Sequence, residues 1–177
     1  MKIFRTDSYY RYILLAISVI CVFAAALSFY SKAKPLELLL LVFAGAVAVL
    51  ITVYIWSVKV RAENGFIHKK NLFGSRTVEI SSVEEITLIT LMGRYVFTLI
   101  TANSFLMLSS MLENFQGLKD ILKNSVTEKV FEGVSNISDE HLTRKKKVMK
   151  LMLAALLILC AVVFIYQLKE VTYAKNL

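Results

Sequence analysis

The residues on which chemistry could rest are few: two histidines, a carboxylate pair, a serine pair, two cysteines and one basic hairpin. His68 and His141 lie in distant parts of the chain, and neither belongs to a spaced ligand motif, whereas a metal site needs several converging donors. No metal ligand is therefore expected. Glu84 and Glu85 are adjacent in an extended segment, so they point to opposite faces and cannot share a proton as an acid–base pair. Ser109-Ser110 precedes a helical pattern and reads as a helix start, not as a nucleophile. Cys21 and Cys160 sit inside apolar runs, which excludes a disulfide framework or a cysteine-rich metal site. Gly65, Gly74 and Gly93 are single turn glycines and Gly45 lies in an apolar run, so no glycine-rich loop is available to cradle a phosphate. The inventory predicts a protein with no catalytic residue and no cofactor.

The basic residues are more informative. Lys69, Lys70 and Arg76 surround one expected hairpin, joined by His68, and could meet lipid phosphates, each cation near an anionic leaflet contributing about 1 kcal/mol. Lys59 and Arg61, and the run Arg144-Lys145-Lys146-Lys147, flank apolar stretches and read as membrane-edge anchors. The plainer account of all of them is that they set topology and hold the chain against the bilayer. The formal net charge of +8 is largely explained that way. No helix-turn-helix, zinc finger or RNA-binding signature adds a case for nucleic acid, which is not expected as a partner.

The elements that position these residues begin with three apolar runs, 12–30, 36–56 and 148–168, in a chain that is 57% hydrophobic with a single proline. Each is near the 20 or so helical residues that cross a bilayer core. Three of them could not hide in a soluble core of 177 residues. Tyr9, Tyr10, Tyr12, Phe29, Tyr30, Tyr54, Trp56 and Tyr166 place aromatics at the expected interfaces. Only five residues, 31–35, separate the first two runs, which makes them an antiparallel helical hairpin, with Pro35 suited to the first turn of the second helix. Ala24-Ala25-Ala26 and Ala44-Gly45-Ala46 permit close approach within that hairpin or against another protein. The spans carry no central ionisable residue, which disfavours a transporter or a membrane enzyme.

Basic residues near the span ends orient the chain. Lys2, Arg5 and Arg11 precede the first span, and the middle segment carries Lys59, Arg61, Lys69 and Lys70 at one edge and residues 144–147 at the other. The hairpin loop and tail hold two lysines each, Lys32 with Lys34 and Lys169 with Lys175. The positive-inside rule then puts the amino terminus and middle segment in the cytoplasm and the carboxyl tail outside, in a multi-pass cell membrane protein. On that placement the Asn136-Ile137-Ser138 sequon is fortuitous. A competing reading makes the first run a signal peptide cleaved near Ala26-Leu27-Ser28.

The middle segment changes period. Short alternating or β-branched stretches at 57–62, 66–72, 76–80, 83–91, 95–101 and 105–108 are separated by Asn64-Gly65, Phe73-Gly74, Ser81-Ser82, Met92-Gly93-Arg94 and Ala102-Asn103-Ser104, a meander of six strands. Asn64-Gly65 is the strongest hairpin signal among them. Ser110 and Glu113 stand in capping-box spacing ahead of Met111, Phe115, Leu118 and Leu122, which predicts one amphipathic helix closing the sheet. The organisation expected is an arm and hairpin over 1–58, a β domain with its helix over 59–125, a polar connection over 126–147 and a third span with its tail over 148–177.

Residues 60–67 (Val60-Arg61-Ala62-Glu63-Asn64-Gly65-Phe66-Ile67), 72–80 (Leu72-Phe73-Gly74-Ser75-Arg76-Thr77-Val78-Glu79-Ile80) and 81–86, with the Gly93 turn and the closing helix, resemble the bacterial pleckstrin-homology-like (PH-like) family of small integral membrane proteins. The resemblance covers about residues 36–124 and is one of pattern, with Ile80 and Ile86 at the corners of the sheet. The third span departs from many such proteins. The resemblance implies an α+β membrane protein whose three transmembrane helices, an amino-terminal hairpin and one carboxyl-terminal span, carry a bent, seven-strand-like β sandwich capped by a helix. It also implies a docking surface for proteins or lipids. The functional expectation is a non-enzymatic adaptor or accessory subunit of an inner-membrane complex, its partner another membrane protein or a second copy. The alternative is an anionic lipid-headgroup sensor using Lys69, Lys70 and Arg76.

Overall fold

The computed structural model describes residues 2–30, 34–91, 94–127, 130 and 139–175. These form an α+β protein with seven strands in two antiparallel sheets and four α-helices, three of them long and apolar. The chain divides into two compact units, residues 1–8 with 57–150, and residues 9–56 with 151–177.

The first unit holds both sheets. Strands β1 (Lys2–Arg5), β2 (Lys59–Glu63), β3 (Phe66–Asn71) and β4 (Gly74–Glu79) form one sheet in that order, and β5 (Glu85–Leu91), β6 (Arg94–Thr101) and β7 (Ser104–Ser109) form the other. A single 3-10 turn, Ile80–Ser82, joins them. Six strands fall where the sequence pattern places them; the seventh is β1, in the amino-terminal arm. Four residues are too short to show a period, and β1 is held by its surroundings. It pairs with β2 on one side, while the Arg5 carbonyl accepts from Glu113 N (2.7 Å) and Asp7 N donates to the Met111 carbonyl (2.9 Å) on the other. Phe4 is 3% exposed and belongs to the core. Signal-peptide cleavage near residue 28 would therefore strip a core strand from the β unit.

Register is set by the β2–β3 turn. Asn64 and Gly65 both have positive φ (50° and 81°), the two-residue hairpin geometry whose twist matches the flanking strands. Alternate side chains then go inward: Phe4, Val60, Ala62, Ile67 and Val78 join Ile86, Phe97, Leu99, Leu106 and Leu108 of the second sheet. Of the expected β5–β6 turn Met92-Gly93-Arg94, the first two lie outside the described residues and Arg94 is already the first residue of β6.

Helix α3 (Phe115–Ser125) covers this core with Phe115, Leu118 and Leu122, and the Phe115 ring lies 4.7 Å from that of Phe97. The expected cap at Ser110 is not the one used. Asn114 caps α3, with φ of 53° and its Oδ1 accepting from Gly117 N (3.2 Å), while Ser110 Oγ accepts from Tyr95 N (3.1 Å) at the edge of β6. The chain needs residues 110–113 to bridge towards β1, so the helix starts one turn later. A Cβ on Gly117 would come within 2.7 Å of the Asn114 side chain, so the glycine belongs to the cap.

The second unit holds most of α1 (Ser8–Tyr30), α2 (Pro35–Ser57) and the last part of α4 (Asp139–Lys175). Helices α1 and α2 pack antiparallel. Ser18 Oγ and Thr52 Oγ1 are 2.8 Å apart, Trp56 Nε1 donates to the Arg11 carbonyl (3.4 Å), and the Cβ position of Gly45 is 3.8 Å from Cys21. The small residue thus serves the hairpin. Gln167 Nε2 donates to Ser28 Oγ (3.1 Å), tying α4 to α1. Most other apolar side chains on the three helices face outward, including Phe23, Leu40, Phe43, Ile158 and Leu159. The polar connection expected over 126–147 is, from Asp139 on, the opening of α4. The loop residues 31–33 and residues 131–138, with the sequon, lie outside the described residues.

Candidate functional site

Lys69, Lys70 and Arg76 share a hairpin but not a face. Lys69 and Arg76 are register partners, in line with Phe4 and Val60 on the inner side of the sheet. Their long stems run to the margin of the core and their charged heads reach β7. Lys69 Nζ donates to the Met107 carbonyl (2.7 Å), and an Arg76 terminal NH donates to the Phe105 carbonyl (3.2 Å) with the guanidinium 5.0 Å from the Phe105 ring centre. The free edge of β7 is thereby covered by side chains of the other sheet, one of the ways proteins protect an unpaired strand edge. Burial, then the neighbouring Arg76 and Arg94 charges, push the Lys69 pKa below the ordinary lysine value.

Lys70 points the other way. It is directly opposite Lys59, which is directly opposite Arg5, so three cations stand in one row on three adjacent strands, all exposed. Neighbouring strands are about 4.8 Å apart, and like charges facing one another across a ladder oppose pairing. Two residues along, Arg61 faces His68, whose Nδ1 is 2.8 Å from Thr77 Oγ1. Two further along, the row reads Glu63, Phe66 and Glu79. The outer face therefore runs from basic to acidic over about five residues, roughly 13 Å of strand.

The basic end is the one at which the chain passes into the apolar helices. Only Thr6 and Asp7 separate β1 from α1, and only Val58 separates α2 from β2. The β3–β4 turn lies at the same end, because Asn71 pairs with Gly74 next to the Lys70–Ser75 pair. At its tip Leu72 is 48% exposed and Phe73 83%, with Phe73 N donating to Asn71 Oδ1 (3.0 Å).

The run at 144–147 also divides. Lys146 Nζ and Lys150 Nζ lie 2.8 and 3.2 Å from Asp7 Oδ2, clipping the start of α4 to the residue before α1. Lys145 Nζ sits 4.0 Å from the centre of the Tyr95 ring and 3.5 Å from Thr90 Oγ1, fastening the helix to the second sheet. Arg144 and Lys147 are exposed.

No protein-family model, curated protein or solved structure matches this chain. Among the described residues no group of three or more His, Cys, Asp or Glu side chains gathers to hold a metal ion. Glu84 and Glu85 are both exposed at the start of β5. The residues that sequence reasoning missed are Arg5, Asp7, Leu72 and Phe73. Arg5 was visible only as an orienting charge, since its place beside Lys59 depends on a strand with no period of its own. The Leu72-Phe73 turn carried the one available signal, two large apolar residues in a position where polar ones are usual.

Proposed function

We propose that this chain is a non-enzymatic integral membrane protein whose PH-like β domain stands on the cytoplasmic side and serves as an adaptor or accessory subunit for a membrane complex. The observation that carries the reading is the pairing of β1 with β2. These strands flank α1 and α2, so the helices between them must cross the bilayer an even number of times, and two helices long and apolar enough to span do that as a hairpin. Helix α4 begins against the same β unit, through Lys145 and Lys146, and then runs through a third apolar stretch, which takes the carboxyl tail to the other side. The charge asymmetry selects the cytoplasm for the β domain. Seven antiparallel strands in two sheets, closed by a helix, agree with the PH-like pattern.

Docking is favoured over catalysis because the groups able to do chemistry are dispersed, His68 on an outer sheet face, His141 on α4 and the two glutamates at a strand start. Cross-linking in native membranes followed by mass spectrometry tests the role. A stoichiometric membrane-protein partner, or a defined complex of copies of this chain, is expected on the adaptor reading; recovery of the cross-linked chain as a monomer alone would contradict it.

A further inference from the structure

The outer face of the first sheet is not explained by holding the fold together. Arg5, Lys59 and Lys70 are exposed, face one another at cross-strand distance and repel. Arg5 and Lys59 are tied by the covalent chain to the ends of apolar helices, and Lys70 is held beside Lys59 by strand pairing. Lys59 follows Ser57 by two residues and Arg5 precedes Ser8 by three, spans of at most about 7 and 10 Å. Both are comparable with the Debye length at physiological salt, about 8 Å. Tyr9, Tyr10, Tyr54 and Trp56 occupy the same helix ends, the residue types that settle at the headgroup level. The exposed Leu72-Phe73 turn projects from this end of the sheet, and the acidic row Glu63–Glu79 is at the opposite end.

We propose that Arg5, Lys59 and Lys70 form a contact for the phosphates of anionic lipids in the bilayer that α1 and α2 span, with Leu72 and Phe73 seated among the headgroups beside them. Charge complementarity selects the ligand: three cations in a line, too shallow to enclose a small molecule, match a plane of phosphates. The acidic far end disfavours laying the whole face on that plane, so the contact is made edge-on by the basic end. Lys69 and Arg76 are not part of it, because their heads are engaged with the β7 carbonyls. The inference rests on the membrane-spanning reading given above.

The test uses the full chain in lipid nanodiscs, either wholly zwitterionic or containing about one quarter phosphatidylglycerol, with lysine acetylation rates read by mass spectrometry. Resistance of the chain to alkaline extraction from membranes is scored separately, so that loss of the spanning reading is distinguished from loss of the lipid contact. Lys59 and Lys70 should be acetylated about fivefold more slowly in anionic discs, the equivalent of ~1 kcal/mol, while the exposed Lys123 on α3 is unchanged. The protection should fade towards about 1 M salt, where screening is nearly complete. Arg5→Gln with Lys59→Gln should remove most of the protection at Lys70; both changes are at exposed positions and leave the core untouched. Equal rates at Lys70 in the two kinds of disc would overturn the proposal. So would the same protection in zwitterionic discs on adding free glycerol phosphate, which would assign the row to a soluble anion instead.

Discussion

Lys69 and Lys70 are neighbours in sequence and strangers in the fold. The first lies on the inner face of the four-stranded sheet, where its ammonium is hydrogen-bonded to β7 and partly desolvated; the second lies on the outer face in a row of like charges. The same contrast holds for Phe4 and Arg5 two strands away. Side chains alternate along a strand, so composition describes a basic hairpin while register decides which cations are committed to the structure and which remain to meet a ligand.

The largest effect that sharpens the contrast is expected at β1. Phe4→Ala should destabilise the β unit by about 3–5 kcal/mol, and Arg5→Gln by no more than about 0.5, measured as denaturation midpoints of the full chain in detergent. Similar losses for the two would mean that the faces are misassigned. Next comes the turn that sets the register. A side chain at Gly65 would meet no neighbour within 4 Å, so Gly65→Val tests backbone strain alone at φ +81° and should cost about 1–2 kcal/mol.

Smaller is the effect of the inner cations. Arg76→Ala removes a hydrogen bond to β7 and a stacked guanidinium at an exposed site, and should cost about 1 kcal/mol. The triple change of Arg5, Lys59 and Lys70 to Gln should be neutral or slightly stabilising, because it relieves like-charge pairs. The smallest effect is in pH. The Lys69 pKa in the fold lies below the ordinary 10.5, so below that pH the folded chain binds fewer protons than the unfolded chain, and stability rises as pH climbs through the window. Comparison with Lys69→Met should therefore move in favour of the parent chain as pH rises towards 10.5, whereas a difference independent of pH would contradict the desolvation of Lys69.

Much of this architecture was legible from the amino acids. Long apolar runs and a two-residue Asn-Gly turn are local signals, and the three helices and six of the strands follow from them. The seventh strand was hidden because Lys2–Arg5 is short and charged, and is a strand only because β2 and residues 111–113 offer it partners on both sides. The cap of α3 was misplaced for a related reason: Ser110 has the right spacing, but the edge of β6 uses its hydroxyl first. The lysines that open α4 were legible as charges. That Lys146 and Lys150 hold Asp7 while Lys145 rests on Tyr95 is tertiary information that no local pattern carries.

The account depends most on the β unit and the amino-terminal arm sharing the cytoplasmic side of a membrane crossed three times. Single cysteines introduced as Ser31→Cys, Asn71→Cys or Asn176→Cys, in a chain with Cys21 and Cys160 replaced by alanine, report this directly when intact cells are treated with a membrane-impermeant maleimide. Labelling at positions 31 and 176, with position 71 reacting only after the cells are opened, is the predicted result. Labelling of position 71 from outside would contradict the orientation and with it the placing of the basic row against the inner leaflet.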